Sequence, residues 1–159
     1  MQVCEKPIRS LGMEFASTEQ AYQANKFTDP AKRLAIQQAS HPTRAKTMVR
    51  DWPVETPDWH NHRLDVMWDI CCQKWTQPRH MGILLSHQEP IVEFVNWNDR
   101  FYGVVITPEG QVKGGENFLG RIIGEIRERV LHQKTFEKPD WLVAPPLPVA
   151  PPSDQLSLF

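Results

Sequence analysis

Proline sets the strongest limit on how this chain can fold. There are fourteen, and a proline inside a helix removes a hydrogen bond and clashes with the preceding turn. Asp29-Pro30 and His41-Pro42 therefore close one segment and open the next, and Pro53 and Pro57 bound a loop. Helices before residue 58 must be short. Ser17 with Gln20 three residues later forms a capping-box signature for a helix reaching Phe27. Asp29 supplies an N-cap and Pro30 a first-turn proline for a second helix to about Ala39. A third is expected from Arg44 to Arg50.

Beyond Pro57 the pattern lengthens. Trp59, Arg63, Val66/Met67, Ile70 and Lys74 recur at spacings of three and four, which predicts an amphipathic helix over about 58–75. Another is expected over 79–86. Ile91 to Val95 and Phe101 to Thr107 read as strands, the second closed by the turn Pro108-Glu109-Gly110. A last helix places Phe118, Ile122, Ile126 and Val130 on one face. Residues 1–16, with Gly12 among them, suit a strand or hairpin. Helices outnumber strands and no βαβ alternation appears, so the fold class is α+β: a mainly helical single domain with a small sheet.

From Pro139 onward the composition changes. Six prolines alternate with Leu, Val and Ala and almost no charge, a composition that favours extended chain and cannot bury enough surface to fold alone. The domain is expected to span 1–136 and a flexible, disordered proline-rich tail 137–159. At ~3.1 Å per residue the stretch to Asp154 reaches roughly 50 Å.

Formal net charge is −1, so no bulk basic field holds a polyanion. Apolar runs fall far short of the ~20 residues a membrane-spanning helix needs, and the first ten residues lack a signal-peptide core. Cys4, Cys71 and Cys72 are a poor disulfide framework, and a reducing cytoplasm is the expected location.

Several clusters carry candidate chemistry. In the helix opened by Ser17, Glu19, Tyr22/Gln23 and Lys26 fall along one face, a stripe that is either solvated or a site floor beside the small Ala21 and Ala24. Trp59 with Arg63 one turn later can stack on a planar ligand or be a core tryptophan covered by an arginine stem. Asp99 lies in a loop between strands, as a catalytic acid or an Asx-turn. Gly114-Gly115-Glu116-Asn117 before the last helix is a possible anion cradle. His60-Asn61-His62 spells HNH, but residues i and i+2 of a helix point about 200° apart and cannot share a metal. Cys71-Cys72 lacks metal or redox spacing. No metal site and no cofactor-binding pattern is read.

Together and in this order, these segments resemble the NADAR family. Ser17, Glu19, Tyr22, Gln23, Ala24, Lys26 and Phe27 are similar to its Ser-Val-Glu-His-x-Tyr-Gln-Ala-x-Lys-Phe helix opening. Ala45-Lys46 with Arg50, then Trp59, Arg63, Met67 and Lys74, match later blocks. Asp99 to Gly103 resembles Asp-x-x-Trp-Gly, and Gly115-Glu116-Asn117-Phe118-Leu119-Gly120 resembles its Gly-x-Asn-x-Leu-Gly helix start. Gln20 stands where the family has His, Tyr102 where it has Trp, and Met48 or Val49 where it has Gly. A Phe-Leu-Ser-Asn-Phe segment usual in the family would precede Met1, so the family's first strand is expected to be missing.

The resemblance implies hydrolysis of a C–N glycosidic bond to ribose, on early riboflavin-pathway intermediates or on ADP-ribose attached to guanine. It implies catalytic roles for Glu19, Lys26 and Asp99, and substrate contacts from Tyr22, Gln23, Trp59, Arg63 and Tyr102, with Gly115 and Asn117 holding phosphate. The last five residues, Gln155-Leu156-Ser157-Leu158-Phe159, resemble the peptide by which bacterial and phage proteins bind the replicative sliding clamp. Leu156, Leu158 and Phe159 would fill apolar pockets while Gln155 hydrogen-bonds. Three readings follow: a clamp-recruited enzyme removing ADP-ribose from guanine in nucleic acid, an N-glycosidase of riboflavin intermediates, or a non-enzymatic clamp-binding protein on this scaffold.

Overall fold

The chain begins with a tight hairpin, β1 (Ile8–Ser10) paired antiparallel to β2 (Met13–Phe15), with Leu11 and Gly12 at positive φ in the turn. A computed structural model describes residues 4–96 and 99–147. Three short helices follow: α1 (Thr18–Ala24), α2 (Pro30–Gln37) and α3 (Pro42–Met48). Asp29 caps α2 through Ala31 N and His41 caps α3 through Thr43 N, each just before a proline. The proline punctuation thus sets both starts, although α3 opens two residues earlier than expected because His41 acts as its cap.

At the start of α1, Gln20 N donates to Ser17 Oγ at 3.2 Å and Ser17 Oγ donates to Gln20 Oε1 at 2.9 Å. The Gln20 amide nitrogen then donates to the carbonyls of Gln37 and Ala39 at the end of α2, at 3.1 and 3.0 Å. One buried side chain therefore caps its own helix and fastens the next. The helix itself ends at Ala24 with Asn25 as C-cap, shorter than the sequence suggests.

The long helix α4 (Trp59–Trp75) is the central wall, followed by α5 (Pro78–Leu85). Ile70 of α4 belongs to one apolar cluster with Ile8, Phe15, Phe27 and Ile36. Leu64, Trp68 and Cys71 belong to a second with Leu84, Phe118, Ile122 and Ile126. Each fully buried Ile or Phe contributes about 1.5–3 kcal/mol.

A three-stranded sheet of order β3-β4-β5 completes the domain, from β3 (Phe94–Val95), β4 (Val104–Ile106) and β5 (Val112–Gly114), before α6 (Phe118–Leu131). β3 and β4 are parallel, β4 and β5 antiparallel. Among the described residues, six helices and two small sheets make up the expected α+β class. β5 was not legible as a strand, its last residue, Gly114, reading as turn punctuation. β3 and β4 are shorter than their apolar runs because the flanking backbone bonds elsewhere: Asn117 takes Glu93 N and Ile91 O, and Asp99 takes the amides of Phe101 and Tyr102.

The expected boundary at 136/137 is displaced. Trp68 Nε1 donates to Phe136 O at 3.1 Å, Lys138 pairs with Asp65, Arg121 lies 4.4 Å over the Trp141 ring, and Leu142 is 1% exposed in the second cluster. Residues 136–147 are a strap along α4 and α6, since Leu142 and Trp141 supply the apolar anchors that proline content alone conceals. Residues 148–159, which hold the clamp-like peptide and the rest of the expected flexible tail, lie outside the described residues.

Candidate active site

Glu19, Tyr22 and Gln23 project from α1 into a cavity of about 640 Å3. α4 supplies Arg63, Met67, Cys71 and Lys74, and the β3–β4 region supplies Glu93, Asp99, Phe101 and Tyr102. Lys26 reaches it from the turn after α1 rather than from the helix. Its amide bonds Gln23 O at 3.2 Å, and its carbonyl accepts from Glu55 N and Thr56 N at 2.9 and 3.0 Å. Its ammonium stands 5.2 Å from the centre of the Tyr22 ring. The expected stripe of Glu19, Tyr22/Gln23 and Lys26 is thus on one cavity wall, and it is not a solvated face.

Burial lowers the Lys26 pKa from its ordinary value. Glu19 opposes that shift by favouring the charged form, while Lys46 and Arg63 add to it. A larger share of free amine results than in an exposed lysine. Gln23 Nε2 donates to Glu19 Oε1 at 2.7 Å, leaving Gln23 Oε1 buried with no donor among the described residues. Burial also raises the Tyr22 phenol to about 12, so it enters the site protonated.

Asp99 makes the Asx-type turn and also faces the cavity. Its Oδ1 accepts from Phe101 N at 3.1 Å and Tyr102 N at 3.0 Å. The turn fixes where the carboxylate sits. Tyr102 donates its hydroxyl to Arg63 O at 3.1 Å and packs edge-on to Tyr22 and Phe101, at 5.6 and 4.8 Å.

Two expectations from the sequence are corrected. Trp59 packs its ring against Tyr22 at 5.3 Å and is not among the residues lining the cavity, so its contact is with the site's tyrosine. Arg63, which the alternative core reading laid along Trp59, has its guanidinium 3.4 Å over the centre of Phe101 and lines the cavity. Gly115 and Asn117 do not form an anion cradle. The amides of Glu116, Phe118 and Leu119 donate to the carbonyls of Arg100, Phe101 and Tyr102, so the start of α6 is spent on the Asp99 loop. Asn117 spans that junction, accepting from Glu93 N at 3.0 Å and donating to Ile91 O at 2.9 Å. A Cβ on Gly115 would fall 2.1 Å from Gly103 O, so glycine is required for close backbone packing.

The NADAR domain family profile matches residues 1–131. The chain belongs to the NADAR family. It is 30% identical over 132 residues to N-glycosidase YbiA of Escherichia coli strain K12, covering 80% of this chain and 78% of that protein. It is 29% identical over 133 residues to N-glycosidase YbiA of Shigella flexneri serotype 5b, covering 81% and 79%. The NMR structure of E. coli YbiA superposes with a TM-score of 0.65 at 28% identity, covering 80% of this chain and 74% of that one. Family membership makes this chain an enzyme of the glycosidase class.

Within this NADAR domain the cavity also contains Glu93, Lys46 and Lys74, which the sequence reading did not select for the site. Glu93 sits in a strand-like run whose alternation says nothing of a cavity. Burial raises its pKa, with Asp99 adding to the rise and Lys74 and Lys46 opposing it. Lys46 and Lys74 occur in matched family blocks, which was the available signal.

Proposed function

We propose that this NADAR enzyme hydrolyses the C–N bond between ribose and guanine, removing ADP-ribose from nucleic acid. The observation that carries the reading is the convergence of Glu19, Lys26 and Asp99 in one cavity with three further cations, Lys46, Arg63 and Lys74. A diphosphate needs cations, and these replace the glycine cradle as its candidate partners. A volume near 640 Å3 is within the range of nucleotide-sized ligand pockets.

Cleavage of the glycosidic bond develops positive charge on the sugar. Glu19 and Asp99 are the anions beside it, able to stabilise that charge or accept a proton from water. The amine of Lys26, made more available by burial, attacks C1′ of the opened sugar and forms an imine as the base departs with a proton. Water then hydrolyses the imine, returning the amine and releasing ADP-ribose. Tyr22 supplies a polar contact, and Gln23 holds the Glu19 carboxylate in place through its 2.7 Å bond.

Incubation with an ADP-ribosylated guanine oligonucleotide, and in parallel with the riboflavin-pathway intermediates, tests the substrate. Cleavage of only the latter would replace this reading with the metabolite one, and cleavage of neither would favour a non-enzymatic scaffold. Borohydride is expected to trap an adduct in the wild type, and Lys26→Ala to abolish both adduct and turnover. A fully active Lys26→Ala with no wild-type adduct refutes the lysine step.

Recruitment by a bacterial sliding clamp belongs to the same proposal. It is supported by the match of Gln155, Leu156, Leu158 and Phe159 to the clamp-binding peptide and by the proline-rich spacer before it. Tethering concentrates an enzyme on DNA without a basic surface. Clamp pull-down unaffected by deletion of residues 155–159 would remove this element.

A further inference from the structure

The strap of residues 136–147 lies beyond the part of the chain that the family profile matches, residues 1–131. It nevertheless reaches the cavity through one side chain, His60 in the first turn of α4. His60 Nε2 is 2.6 Å from Pro145 O, and its Nδ1 is 3.0 Å from Arg63 Nη2. A carbonyl only accepts and a guanidinium only donates. The two partners therefore dictate a single state: neutral imidazole, with the proton on Nε2 donated to Pro145 O and the lone pair of Nδ1 accepting from Arg63.

We propose that His60 is a positioning residue through which the C-terminal strap orients Arg63 for substrate. The inference rests on the cavity being the glycosidase site proposed above. Arg63 is otherwise held only in part. Its guanidinium lies on the Phe101 ring, and its Nε is buried with no acceptor among the described residues. Arg63 lines the cavity, so the orientation of its guanidinium decides which of its N–H groups a ligand oxygen meets. The bond from Nη2 to Nδ1 fixes rotation of the guanidinium about its stack on Phe101 and so fixes where its N–H groups point. Pro145 in turn holds the imidazole, and its place is secured by Leu142 in the core and by Trp141 under Arg121. The rejected His60-Asn61-His62 triplet thus contains a residue with a defined task, one that ties the extension to the pocket.

Two measurements test it on the full chain. Long-range 1H–15N NMR of the histidine rings at pH 7.5 is expected to show His60 neutral with the proton on Nε2. A charged ring, or the Nδ1–H tautomer, overturns the proposal whatever the enzyme's substrate. Steady-state kinetics on the ADP-ribosylated guanine oligonucleotide form the second readout. His60→Phe is expected to raise KM about five- to tenfold with kcat within about twofold, and His60→Gln, which keeps a donor and an acceptor, to recover most of the loss. Unchanged KM in His60→Phe overturns the positioning role. An equal loss in His60→Phe and His60→Gln that tracks a fall in melting temperature does so too, because it marks a purely structural effect. If the wild type cleaves no glycosidic substrate, the functional reading fails while the tautomer measurement still decides the strap-to-arginine linkage.

Discussion

Replacing Asn117 with alanine separates two roles for one residue: phosphate ligand, as the resemblance implies, or structural pin, as its contacts indicate. Its side chain makes two hydrogen bonds to main chain, with Glu93 N at 3.0 Å and Ile91 O at 2.9 Å. Each contributes about 0.5–1.5 kcal/mol net. Asn117 also has φ 51°, a left-handed conformation that costs an alanine roughly 1–2 kcal/mol and asparagine less. The loss should therefore total about 2–4 kcal/mol. At a urea m-value of about 2 kcal/mol/M the unfolding midpoint falls by about 1–2 M. Asn117→Asp keeps the acceptor for Glu93 N and adds a carboxylate at the start of α6, so it should fall between the two. A urea titration of the three proteins followed by far-UV circular dichroism, paired with KM measurements, gives the answer. An unchanged midpoint together with a large rise in KM would refute the structural assignment and restore the phosphate role.

Further outcomes are expected elsewhere. Gln20→Met removes the acceptor for Ser17 Oγ and strips the carbonyls of Gln37 and Ala39 of their donor. It should cost about 2–3 kcal/mol in chemical denaturation while leaving the kcat of the folded fraction unchanged, since Gln20 does not line the cavity. Glu93 has a raised pKa, so the fold binds its proton more tightly than the unfolded chain does. Its contribution is therefore fully present below the unfolded value of about 4.3 and is lost as pH rises through the folded value. Glu93→Gln should accordingly gain stability relative to wild type between about pH 4 and pH 7, and a constant difference across that range would contradict the burial argument. Because the Lys26 pKa is lowered, borohydride trapping should rise with pH to a midpoint below that of a free lysine, about 10.4. A midpoint at or above that value counts against a desolvated amine.

Local rules settled a good part of this protein. Proline placement and the caps at Ser17 and Asp29 positioned the first two helices, because capping depends on residues within one turn of one another, whereas the start of α3 was read two residues late. Spacing alone placed α4 and α6. The ordered motif blocks identified the NADAR family and selected Glu19, Tyr22, Gln23, Lys26, Arg63, Asp99 and Tyr102, all of which the fold gathers around one cavity. What the sequence could not convey depends on which groups meet across long separations. Gly114 to Asn117 has the composition of an anion cradle, yet the Asp99 loop folds back and takes the helix-start amides for itself. Trp59 has the spacing of a stacking residue, but its ring packs against Tyr22 and it is not among the residues lining the cavity. Glu93 became part of the site only when Asn117 drew its backbone against the start of α6. The strap reads as proline-rich tail because its anchors, Trp141 and Leu142, gain meaning only against α4 and α6. Periodicity and capping report on a few neighbouring residues, whereas the hydrogen-bond state of His60 is fixed by Arg63 three residues away and by Pro145, 85 residues further along. Only the tertiary structure brings those two to the same ring.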